Sequence, residues 1–170
     1  MRVWLPTAAA IVVAAILQAA LAPHMAIMQV VPNLLLLVVV TLAMVEGPTP
    51  GAAAGFAAGL LLDLLGSGPI GPGALVMSSV GYAAGMIGAN LFAESWLMPV
   101  TVVLIASFVY DLALAALLAV MGVEAALVTI AWRVALPGAV YNTLLAVLIF
   151  PWLARFLRTD VGMTELSRLR

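Results

Sequence analysis

Apolar runs of membrane-spanning length, broken by Pro and Gly rather than by charge, constrain this chain more than any other feature. From Leu5 to Ala22, from Leu34 to Val45, from Gly51 to Leu65 and onward to Phe156, few ionisable side chains interrupt the hydrophobic sequence. A water-soluble fold needs polar residues for its surface, and 66% hydrophobic against 8% charged residues supplies too few. The bilayer must therefore be the solvent. Each helical span takes about 20 apolar residues to cross about 30 Å of hydrocarbon, which caps this length at about six or seven spans. The expected fold is an all-α integral membrane protein, a compact bundle of about six transmembrane helices. Residues 1–156 form its single transmembrane domain and 157–170 a short cytoplasmic tail.

Pro and Gly clusters set the expected boundaries. The first span runs from Leu5 to Ala22. Its start after Arg2 and its small-residue end could be read as a secretory signal, but an uncleaved helix is simpler because everything downstream is also apolar. Pro23 and His24 open a connection. The run Leu34–Val45 is too short to cross unaided, so either helix 2 begins near Met25 and kinks at Pro32, or the segment before Pro32 is re-entrant or interfacial and helix 2 is short. Glu46-Gly47-Pro48-Thr49-Pro50 reads as a tight turn, followed by a third span from Gly51 to Leu65. The Gly-Pro loop Gly66–Gly73 leads to a fourth span, Ala74 to Phe92, and Glu94-Ser95 precedes a fifth, Leu97 to Met121. Gly122-Val123-Glu124 ends it. Ala125 to Trp132 reads as interfacial and Val134 to Phe156 as the sixth span.

With six spans both termini share one side, where Arg2, Arg155, Arg158, Arg168 and Arg170 all fall. The positive-inside bias places that side in the cytoplasm. Trp4, Trp96, Trp132 and Trp152 each lie near a span end, the level at which indole rings settle.

Gly51, Gly55, Gly59 and Asp63 recur every four residues and form one nearly bare stripe along a helix. Gly81, Gly85 and Gly88 offer a complement in the next span. Such a stripe serves either close packing within the chain or the docking of a partner's helix. Asp63 and Asp111 are ionisable groups inside apolar spans, where a charge needs a partner. At 1.5 Å per residue they rise about 18 and about 21 Å from the cytoplasmic end, near the level at which Arg133 enters the last span. An ion pair from Arg133 to one or both, locking three helices in register, is expected. Pro137, Tyr141 and Asn142 lie one turn apart on the last span, so a proline kink could offer a carbonyl to the Asn amide or the Tyr hydroxyl.

Catalysis is not expected. The chain has no Cys and one His, His24, which excludes thiolate chemistry and His- or Cys-rich metal cages. Ser67 lacks a nucleophile elbow, and no phosphate loop or zinc-protease motif occurs. No catalytic residue, cofactor or metal is expected, and the net charge of -1 gives no purchase on nucleic acid.

The series Pro32-Asn33-Leu34-Leu35-Leu36-Leu37, Gly55-Phe56-Ala57-Ala58-Gly59-Leu60-Leu61-Leu62-Asp63, Gly71-Pro72-Gly73-Ala74-Leu75, then Arg133, Pro137 and Tyr141-Asn142, resembles the rod-shape-determining MreD family over nearly the whole chain. Asn33 departs from it, since many relatives carry an acid there. The resemblance implies a non-enzymatic component of the bacterial elongation machinery for peptidoglycan, in the cytoplasmic membrane. It implies MreC as direct partner, RodA and the elongation penicillin-binding transpeptidase through MreC, and MreB filaments beneath. It also implies a fold similar to the substrate-binding S-components of energy-coupling-factor vitamin transporters, whose small-molecule binding is the competing reading.

Overall fold

Pro32 and Asn33 fix where the central helix begins. Residues 30–33 are not helical, and the Asn33 side chain accepts the Leu36 N–H at 3.0 Å, an N-cap that starts α2 at Leu34–Glu46. Of the two readings of this region, the short helix 2 is the one formed, with 13 residues beginning after Asn33. A helix apolar on every side belongs in the interior, and Leu35 through Met44 are all buried. The structure, a computed structural model, describes residues 4–20, 30–91, 97–123, 127–149 and 152. Residues 21–29, with His24 and the connection before Pro32, lie outside them, as do Glu94, Ser95, Trp96 and the tail.

Four helices surround α2: α1 (Trp4–Ala20), α3 (Pro48–Leu65), α4 (Pro72–Leu91) and α5 (Leu97–Val120). The inward face of α1 is marked by Thr7, Ile11 and Ala14, at helical spacing, while Val12, Val13 and Ile16 face outward. The inner face of α5 follows the same rule through Val102, Val103, Ala106, Ser107 and Tyr110. The expected turn Glu46–Pro50 shrinks to one non-helical residue, Gly47, whose φ of 97° suits glycine. Pro48 follows at the first position of α3, where its missing N–H removes nothing and its fixed φ favours the helix.

The last helix, α6, begins as Leu127–Ile130, widens into a π-helical turn at Ala131–Ala135 and stays helical to residue 149. In the π turn the Leu136 N–H donates to the Ala131 carbonyl. Pro137 lies just beyond it. The proline has no N–H, and its ring would strike the Arg133 carbonyl in a regular α-turn, so a wider turn relieves the clash. The described part of the stretch Ala125–Trp132 is the beginning of α6 rather than a separate element. Three segments are long and apolar enough to cross a membrane: Pro48–Leu65, Met98–Val120 and Ala131–Ile149. Thr7–Ala20 and Leu34–Glu46 are apolar but shorter. α4 is a helix of 20 residues without an acidic or basic side chain.

Candidate functional site

The glycine stripe is consumed inside the chain. Gly51 lies so close to α4 that a Cβ on it would stand 2.7 Å from the Gly81 carbonyl oxygen, and one on Gly55 or Gly59 would strike the carbonyl of Met77 or Gly73. Reciprocally, Gly81 abuts the Gly51 carbonyl, Gly85 the backbone of Pro48, and Gly88 that of Met44 in α2. Between these bare faces, the Ser78 hydroxyl donates to the Ala52 carbonyl at 2.9 Å. Of the two uses foreseen for the stripe, close packing within the chain is the one it serves here.

Asp63 ends that seam, and its partners are not charged. Its carboxylate accepts the backbone N–H groups of Gly71 at 2.8 Å, Gly73 at 3.1 Å and Ala74 at 3.2 Å. These are unsatisfied donors at the start of α4, where the helix dipole also favours an anion. Gly73 is needed for the cap, because a Cβ there would collide with the Asp63 carboxylate. Arg133 is exposed and makes no ion pair with Asp63 or Asp111 among the described residues. The expected charge cluster is therefore not formed: Asp63 finds nearer partners in its own loop. Asp111 packs instead against Gly138 of α6, where a Cβ would come 3.2 Å from Oδ2.

A second polar centre joins α1, α2, α5 and α6. Asn142 accepts the Asn33 N–H on Oδ1 at 2.8 Å and donates from Nδ2 to the Ser107 hydroxyl at 3.2 Å. Gln18 donates to the Pro32 carbonyl at 2.9 Å and accepts the Leu34 N–H at 2.7 Å. The chain entering α2 is thus held from both sides, with its first N–H groups paired although they lie beside apolar helices. Asn142 therefore bonds outward to α2 and α5 rather than to a carbonyl freed at Pro137, and Tyr141 beside it is half-buried. Sequence spacing gave no sign of Gln18 or Ser107. Nearby, the Tyr110 hydroxyl is buried without a hydrogen-bond partner among the described residues.

Two apolar grooves remain open. One, of about 330 Å³, is lined by Ala10, Val13 and Ala14 of α1, Leu34 and Val38 of α2 and Ile149 of α6. The other, of about 190 Å³, separates α4 from α5 between Ala83, Ile87, Val102 and Ile105. Among the described residues no three His, Cys, Asp or Glu side chains converge as a metal set.

The family model for the rod shape-determining protein MreD matches residues 1–159. No curated protein and no solved structure matches the chain. With three apolar segments long enough to span, the match identifies a membrane protein with a role in rod shape determination. The chain, matched over nearly its whole length, belongs to the MreD family.

Proposed function

We propose that this protein is a multi-pass, non-catalytic scaffold of the cell-elongation machinery in the bacterial cytoplasmic membrane, with both termini in the cytoplasm. It binds the transmembrane helix of MreC and acts through MreC on RodA and the elongation penicillin-binding transpeptidase, above MreB filaments. The observation that carries this reading is the apolar groove between α1 and α2. The glycine faces of α3 and α4 are already filled by each other, whereas this groove is open and lined by aliphatic side chains alone, a surface that another apolar helix can cover. A vitamin-binding role of the S-component kind draws less support. It calls for several convergent free polar groups in a pocket, and Gln18, Asn33, Ser107 and Asn142 bond to one another or to backbone.

Co-purification tests the proposal. Detergent-solubilised wild-type protein should carry MreC along, and Val13→Trp, an exposed position on the groove wall, should abolish this while leaving the protein level unchanged. A wild-type preparation that retains a stoichiometric small ligand and no MreC would sink the scaffold reading.

A further inference from the structure

Arg133 is the third residue of the apolar segment Ala131–Ile149, yet it is exposed and unpaired among the described residues. Its neighbours are exposed with it: Trp132 is 69% and Val134 43% accessible. All three lie in the π turn Ala131–Ala135, so an exposed guanidinium and an exposed indole are neighbours in sequence near the start of a spanning segment.

The surroundings narrow what the guanidinium can bind. Hydrocarbon does not satisfy an exposed arginine, which must reach water or an anion. Arg133 lies six residues, about 9 Å, from the start of α6 at Leu127, near enough to the helix end for its long side chain to snorkel toward the membrane surface. Indole rings favour the same level. At that level the abundant anion is the lipid phosphate, whose paired oxygens match the planar fork of a guanidinium.

We propose that Arg133, exposed together with Trp132, binds the phosphate of an anionic phospholipid in the leaflet nearest the α5–α6 connection. The site does not depend on the scaffold reading or on which side of the membrane that connection faces.

Native mass spectrometry of the full-length protein, released from phosphatidylcholine nanodiscs containing a minor fraction of phosphatidylglycerol, tests the assignment. Wild-type protein should retain phosphatidylglycerol in preference to phosphatidylcholine. Arg133→Gln should lower that retention about fivefold, the effect of one cation at a charged lipid surface, and Arg133→Lys should fall between. Arg168→Gln, in the tail, should not reproduce the loss. Equal phosphatidylglycerol retention by wild type and Arg133→Gln would overturn the proposal. So would a severalfold rise in Glu124→Gln, because the guanidinium would then be occupied by that carboxylate, which lies outside the described residues. If Arg133→Gln does not accumulate, Arg133→Lys and Trp132→Ala carry the same comparison: reduced retention supports the site and wild-type retention in both refutes it.

Discussion

The side-chain oxygen of Asn142 accepts the backbone N–H of Asn33 at 2.8 Å, across 109 residues of sequence. The residue that caps α2 is thus itself held by α6, and α5 joins through Ser107.

Replacing Asn142 with Leu leaves the Asn33 N–H and the Ser107 hydroxyl short of a partner in an apolar setting. An unsatisfied buried group costs about 1–3 kcal/mol, so Asn142→Leu should destabilise the protein by about that amount. Ser107→Ala removes one weaker contact and should cost about 0.6 kcal/mol, in line with interhelical hydrogen bonds in membranes. Thermal denaturation in detergent, followed by loss of the monodisperse peak in size-exclusion chromatography, measures both. An Asn142→Leu protein as stable as wild type would contradict the bridging role.

Gly55 and Ala53 sit two residues apart on α3 with opposite surroundings. A Cβ on Gly55 strikes the Met77 carbonyl, whereas Ala53 faces outward. Gly55→Ala should therefore cost about 1–3 kcal/mol, the usual penalty for overpacking, and lower the steady-state protein level. Ala53→Leu should leave both unchanged. Equal tolerance at the two sites would mean that the α3–α4 seam is looser than described.

Asp63→Ala removes the acceptor for three backbone donors and should destabilise by about 2 kcal/mol, the upper range for loss of a helix cap. Asn keeps one oxygen, so Asp63→Asn should lose less. The same melting assay ranks the series.

Exchanging Asp63 and Arg133 should not restore what Asp63→Arg alone loses, because the native partners of Asp63 are N–H groups of its own loop. Recovery of protein level in the exchanged variant would show a direct pair after all.

Much of the architecture was legible where local chemistry decides it. Pro, Gly and loop polarity placed α3, α4 and α5 within a few residues of their observed ends, and the four-residue glycine period announced a close helix contact. The start of α2 stayed open, because the Asn33 and Leu34 N–H groups beside its local cap are paired by Asn142 and Gln18, which approach only in the folded chain. The charge cluster misled for a related reason. Opposite charges at similar depth suggest a pair, but an aspartate at a helix-to-helix loop has backbone donors 8 to 11 residues away, and these need no third helix. The π turn followed from Pro137 only once α6 proved to run continuously through Trp132.

The glycine seam also bears on the order of assembly. A glycine stripe with a four-residue period would by itself tolerate a slip of one turn, but the Asp63 carboxylate, held by the N–H groups of Gly71, Gly73 and Ala74, ties the end of α3 to the start of α4. The hairpin thereby takes its register from the cap. It can close as a unit as soon as both helices are inserted, before α5 and α6 have been made, and offer later elements a finished wall.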